Sequence, residues 1–252
     1  MKLKELDDYL GTFLAVNRFD DAALNGLQVE GRPDVRRLAL AVSACAEVFR
    51  KAAAAGADAL VVHHGLLWKG DWPKPVTGVM GERLKILLDA ECSLFAFHLP
   101  LDAHAEVGNN AVAARALGLQ DLEPFCDYHG QLIGWRGRYA SPLHAGDFMA
   151  RLERYYGRPA HWVSGGGTNI SRVGIVSGGA AKEAEQAAAL GLDAYVTGEP
   201  GEPTTFLARE AGFHFFALGH HATERVGVRA LGEHLKTTLG LDTLFIEVEN
   251  EA

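Results

Sequence analysis

RLALAVSACAEVFRKAAAAGADALVVHHG, residues 37–65, reads in turn as strand, helix and strand. RLALAVSA (37–44) is an apolar strand, and CAEVFRKAAAAGA is an alanine-rich helix that ends near Gly56, a suitable C-cap. Val61 and Val62 favour a second, buried strand. Such a β-α-β unit implies a parallel strand pair joined by a right-handed crossover. The second strand leaves on His63, His64 and Gly65. Open α/β sheets gather ligands and chemistry at the carboxyl ends of their strands. Neighbouring imidazoles on a strand point to opposite faces, and a turn at Gly65 lets both converge. Buried imidazoles without a partner are costly, so a metal is their natural resident.

The same stretch is echoed by SRVGIVSGGAAKEAEQAAALGLDAYVTGE, residues 171–199. Val42-Ser43 matches Val176-Ser177, and Gly56, Asp58 and Ala59 match Gly191, Asp193 and Ala194, with one residue of slippage placed in the helix. SLFAFH (93–98) likewise resembles HFFALGH (214–220). Self-similarity at this long spacing indicates a duplicated half-domain, not a solenoid. The expected fold class is α/β, two pseudosymmetric α/β repeats with a small inserted α+β subdomain. Residues 1–120 form the first half, 121–165 the insert and 166–252 the second half, the halves sharing one core. Within the insert, GQLIGWRGRYA reads as a strand pair and PLHAGDFMARLERYYG as a helix. Residues 3–15 form an amphipathic helix, LNGLQVEG (24–31) a turn-rich link and SGGGTN (164–169) a flexible hinge. Trp68 and Trp72 fall in a proline-containing loop, where a lid or oligomer contact and plain packing are equally good readings.

Composition narrows the partners. The 252 residues carry 24 Lys and Arg against 32 Asp and Glu, a net charge of −8 with no basic run, which disfavours duplex nucleic acid. Cys45, Cys92 and Cys126 are odd in number and widely spaced, as reduced thiols of a cytoplasmic protein would be. MKLKELDDYL has no apolar signal core, and no apolar run is long enough to span a membrane.

Four strand ends offer polar groups: His63-His64, His98 with Asp102, Gly198-Glu199, and His220-His221 with Glu224. A helical turn in GHHATER sets Glu224 on one face with either His220, four residues back, or His221, three back. Pro100 disfavours helix just before it, so His98 and Asp102 are expected on an irregular loop. For Glu199, capping and touching the site are equally good readings. Imidazoles mixed with carboxylates suit Fe, Mn, Zn, Co or Ni better than a Ca or Mg cage. At least five candidate ligands fit two metals better than one closed tetrahedral site. His104, His129, His144, His161, His214 and His234 are read as surface or hydrogen-bonded structural residues. VGIVSGGAAKEA (173–184) could expose backbone N–H groups to an anion, but lacks the full phosphate-loop pattern and is better read as a tight turn.

NGLQVEG, VVHHG, FHLPLDAH, the Asn pair after it, DAYVTGE and GHHATERVG together resemble the motifs of the Nif-three-like (Ngg-interacting factor) family. Its members are commonly labelled GTP cyclohydrolase 1 type 2 homologues. The resemblance runs nearly end to end and is weakest over 121–165. It implies intertwined repeats, a dinuclear centre of two divalent metal ions per subunit (Fe, Mn, Zn, Co or Ni) and a toroidal homohexamer. By position it puts the metal ligands on His63, His64, Asp102, His220 and Glu224, choosing His220 over His221. His98 matches a family histidine near the metals. Phe206 stands where relatives often carry a histidine. The expected function is a dinuclear metal-dependent hydrolase of a nucleotide or related heterocycle, by ring opening or phosphate-ester hydrolysis, with His98 or His221 moving a proton. The competing expectation is a non-catalytic metal-binding adaptor or metal-delivery protein.

Overall fold

In the computed structural model, which describes residues 1–71 and 75–252, the apolar spacing at the amino terminus forms α1 (Leu3–Phe13) with Leu3, Leu6 and Leu10 buried. Trp72 lies outside the described residues. Next come β1 (Gly26–Val29), β2 (Arg37–Ser43), α2 (Ala46–Ala54), β3 (Ala59–His64), α3 (Gly78–Asp89) and β4 (Ser93–Ala96). They are followed by α4 (Leu99–Ala103), α5 (Asn109–Ala116), β5 (Gln120–Tyr128), β6 (Gln131–His144), α6 (Ala145–Tyr156) and β7 (His161–Val163). The chain ends with β8 (Asn169–Ile175), α7 (Ala184–Ala189), β9 (Ala194–Thr197), α8 (Glu202–Ala211), β10 (His214–Ala217), α9 (His220–Leu239) and β11 (Asp242–Phe245).

The chain divides into two compact units, Met1–Leu101 with Val228–Glu249 and Asp102–Gly227 with Asn250–Ala252. The first holds a sheet ordered β1-β4-β3-β2-β11, with β4, β3, β2 and β11 parallel and β1 antiparallel at the edge. The second holds a sheet ordered β5-β6-β8-β9-β10-β7, in which β8, β9 and β10 are parallel and β7 is the antiparallel edge. The run β1-β4-β3-β2 is thus repeated as β7-β10-β9-β8, so the duplication includes the leading edge strand. Both parallel cores are apolar, around Phe49, Leu60 and Val62 in one unit and Phe148, Val196 and Phe216 in the other.

One aspartate sets the register in each unit. The Asp58 carboxylate accepts the N–H groups of Arg36 and Arg37 at 2.9 and 3.0 Å, and that of Asp193 accepts Ser171 and Arg172 at 2.9 and 2.7 Å. Leu38 pairs with Ala59 as Val173 pairs with Ala194, so the two halves run at constant offset through strand and helix. The slippage inferred from Val42-Ser43 against Val176-Ser177 is therefore not in the helix: the two Val-Ser pairs are a near-match, displaced by one residue.

Three local expectations change. Pro100 sits at the second position of α4, where a missing N–H is tolerated, so Asp102 is helical, not on a loop. After Gly130, which lies in the preceding turn, GQLIGWRGRYA runs as part of one long strand, β6, whose partners are β5 and β8, so strands from 121–165 extend the second sheet. SGGGTN is no free hinge: a Cβ on Gly165 would lie 2.2 Å from the Ala208 carbonyl oxygen and 2.4 Å from that of Phe213. The three-part division at 120 and 165 describes the proposed repeats, whereas the compact units divide at 101/102, 227/228 and 249/250. Cys45, Cys92 and Cys126 are free thiols, and among the described residues no helix is long and apolar enough to cross a membrane.

Burial alone would raise the Asp58 carboxyl, but the Arg37 and Arg36 N–H groups and the Arg32 charge outweigh it and hold it below the usual carboxylate range. Its contribution is complete above the unfolded value of about 4 and is lost as pH falls through the lower folded value. Asp58→Ala should cost about 1–3 kcal/mol at pH 7 in urea unfolding, and the gap from wild type should narrow below about pH 4.

Candidate functional site

In the first unit, β3 ends on His63, fully buried, and His64, partly exposed. Nδ1 of His63 lies 2.9 Å from the Phe97 carbonyl oxygen. A carbonyl only accepts, so Nδ1 carries the proton and Nε2 is the basic nitrogen. His64 Nδ1 meets the Ser43 hydroxyl at 3.1 Å. His98 follows β4, and its Nδ1 lies 2.9 Å from Asp21 Oδ1, which makes Nε2 its basic nitrogen too. One nitrogen from each of His63, His64 and His98 lies within 4.8 Å of the others. Metal-bound histidines usually give their second N–H to a carboxylate or carbonyl, and His63 and His98 do so here. The donor set therefore fits a transition-metal ion.

Residues without a role in the sequence reading brace this cluster. Asp21, 3% exposed, accepts His98 Nδ1 and the Ala23 N–H on Oδ1, and Asn25 Nδ2 and the Leu99 N–H on Oδ2. Burial pushes the Asp21 carboxyl up, but His98, Asn25 and Ala23 outweigh that and hold it far below the carboxylate range. Gln28 Oε1 accepts the N–H groups of Leu66 and Leu67, tying down the turn after His64. Trp68 is half-buried and meets His98 edge-on at 5.2 Å, which favours the packing reading of that residue.

In the second unit, Asp102 is buried, and its Oδ1 accepts Asn109 Nδ2 at 2.8 Å and the Ser177 hydroxyl at 2.9 Å. Asn109 Oδ1 accepts the Gly227 N–H, while Asn110 bridges Ile133 and Ser177. Asn109 and Ser177 thus hold Oδ1 of the carboxylate, and Asn110 anchors the Ser177 backbone behind it. The first turn of α9 brings His220 Nε2 within 3.1 Å of Glu224 Oε1, the four-residue pairing, and His220 Nδ1 within 2.6 Å of Glu199 Oε1. The bond to Glu224 raises the His220 imidazole most; burial opposes it, the Glu224 charge and Glu199 add to it, and the value reaches about 9. Gly178, at φ +69°, has no Cβ because one would lie 2.2 Å from Glu224 Oε1. The Gly-Gly turn thus admits a carboxylate, which favours the plain-turn reading over an anion loop. His221 is half-exposed and gives its backbone N–H to the Ala252 carbonyl. His104, His144, His214 and His234 all make structural hydrogen bonds, and Phe206 is exposed on α8.

The fold and these side chains define a class: a duplicated α/β protein with histidine and carboxylate groups of metal-ligating type at its strand ends. The family model described as Duf34/NIF3 (NGG1p interacting factor 3) matches residues 1–252, and the chain belongs to that family. It is 45% identical over 250 residues to a GTP cyclohydrolase 1 type 2 homolog of Allochromatium vinosum, covering 99% of this chain and 97% of the relative. A protein of the same description from Escherichia coli K12 is 40% identical over the whole of both chains. Among solved structures, protein ybgI, described as of unknown function, superposes with a TM-score of 0.94 at 39% identity, covering all of both chains. Reduced HcgD from Methanocaldococcus jannaschii gives 0.85 at 26% identity, covering 98% of each.

A metal ion taking His220 as a ligand would have to displace its proton. Metal uptake at pH 7 should therefore release a proton, and affinity should rise with pH up to about 9; calorimetry in two buffers of different ionisation enthalpy reads both. Glu199→Gln, which removes one of the two carboxylates, should shift that dependence to lower pH. With Asp102 as a metal ligand, Asn109→Ala should weaken metal binding by about 10–100-fold, because it frees the Asp102 carboxylate to turn.

Proposed function

We propose that this chain is a dinuclear metal-dependent hydrolase whose two divalent ions are held by His63, His64, Asp102, His220 and Glu224. The observation that carries the reading is the imidazole cluster of the first unit, with the Nδ1 protons of His63 and His98 already committed to oxygen acceptors. Imidazoles and carboxylates together make a mixed set suited to Fe, Mn, Zn, Co or Ni. Bound there, two such ions supply Lewis-acid activation of water and of the electrophile. His98 takes the proton from the attacking water, and His221 is the other histidine placed in sequence for that task.

The substrate class is a nucleotide or related heterocycle, a reading supported by the name GTP cyclohydrolase 1 type 2 homolog carried by the relatives. Taken literally, that name means opening of the imidazole ring of GTP with release of formate; the same residues also suit phosphate-ester hydrolysis. Kinship of fold does not choose between the reactions. The proposal includes a toroidal homohexamer in the cytoplasm, with assembly read by analytical ultracentrifugation.

Plasma mass spectrometry should find about two metal ions per wild-type chain and a loss of metal in His63→Ala/His64→Ala. The same wild-type sample should release formate or phosphate from one of a panel of nucleotides, and Glu224→Ala should reduce that release to background while remaining folded. Metal without either product would favour the adaptor or delivery reading. Unchanged release by Glu224→Ala would sink the ligand assignment.

A further inference from the structure

We infer that Asp21 is a positioning residue that holds His98 in a single tautomer, with the proton on Nδ1 and the lone pair on Nε2. Two nitrogens converge on each Asp21 oxygen, and three of the four are N–H donors by their chemistry. Ala23 N at 3.0 Å and His98 Nδ1 at 2.9 Å reach Oδ1, while Asn25 Nδ2 and Leu99 N, both at 2.9 Å, reach Oδ2. An ionised carboxylate accepts at both oxygens at once, whereas an amide would set its NH2 against the N–H of Ala23 on one side or those of Asn25 and Leu99 on the other. At this buried position such a clash is not relieved by water.

The His98 backbone is captured by the same turn, since its N–H donates to Asn25 Oδ1 at 2.8 Å. Ring and main chain are therefore both tied to residues 21–25, and the Trp68 edge stands against the ring. With Nδ1 committed to Asp21, the lone pair that His98 offers to the cluster with His63 and His64 is on Nε2. A carboxylate behind an imidazole does the same work in other acid–base dyads, fixing which nitrogen is basic and keeping the ring still. What that nitrogen then does, accepting the proton of the attacking water, rests on the hydrolase reading above; the tautomer does not.

Long-range 1H–15N NMR of the metal-free full chain, labelled at histidine, tests this directly. His98 is assigned by the signal that disappears in His98→Gln. The expected wild-type spectrum has a pyrrole-type Nδ1 and a pyridine-type Nε2 at His98. In Asp21→Asn that single tautomer should give way to Nε2–H or a mixture, with the His214 and His234 signals unmoved. A wild-type Nε2–H tautomer, or an Nδ1–H tautomer that persists unchanged in Asp21→Asn, would overturn the inference. If Asp21→Asn does not fold, the wild-type spectrum still decides, since an Nε2–H or averaged ring there overturns it and a pure Nδ1–H ring supports it. An intact tautomer in a chain that releases neither formate nor phosphate supports the positioning role and counts only against the hydrolase reading.

Discussion

Each parallel core is tied at its amino-terminal edge by one aspartate. Asp58 uses its carboxylate to hold the N–H groups that open β2, its own N–H to reach the Arg37 carbonyl, and its carbonyl to take the Ser93 N–H that opens β4. Asp193 does the same with Ser171, Arg172 and His214. Three strands are thereby locked in register by one residue in each half. A slip of one residue would turn every side chain to the opposite face of the sheet. His63 and His64 close the other end of β3, and His98 and His220 follow the other ends of β4 and β10, so the positions of these rings are inherited from the two clamps.

From that register the two sets of side chains follow by different means. In the first unit the imidazoles are held from behind by oxygen acceptors, Phe97 O for His63 and Asp21 for His98. In the second the carboxylates are held by neutral donors, Asn109 and Ser177 for Asp102, while His220 lies between Glu199 and Glu224. Imidazoles with their distal N–H engaged and a carboxylate oriented by amide and hydroxyl donors are what metal ligation asks of a protein.

Much of this was legible in the sequence because it is local. VVHHG placed His63 and His64 at a strand end, the echo of 37–65 in 171–199 exposed the duplication, and the spacing in GHHATER set Glu224 on one face with His220 or His221, between which only the family resemblance chose His220. What stayed hidden is non-local. Asp21 lies 77 residues from His98, and nothing in DDAALNG separates a carboxylate that orients an imidazole from one that caps a turn. The Asn pair showed only as a matched motif, since its work is to bridge segments far apart in sequence. Pro100 misled because the rule against helix before proline concerns the preceding residue, whereas proline at a first turn is tolerated.

The duplication also explains why the two halves bring their histidines from different places. Strand pairing makes Ala59 equivalent to Ala194, and so His63 to Gly198 and His64 to Glu199. A side chain is impossible at Gly198, because its Cβ would stand 2.7 Å from the Gly178 carbonyl oxygen and 2.8 Å from the His220 Cα. The second half has no imidazole at that strand position; the start of α9 lies directly against the strand there and carries His220. After β4 and β10 the same register aligns His98 with Gly219 and Leu99 with His220. Each half thus keeps a histidine just beyond its last parallel strand, shifted by one residue. In the first half it is braced by a distant aspartate, and in the second by Glu199, the residue that replaces His64, and by Glu224 one turn further along its own helix. The two halves thus carry their imidazoles on different backbone, while His63, His98 and His220 each have a carboxylate or a carbonyl at the back.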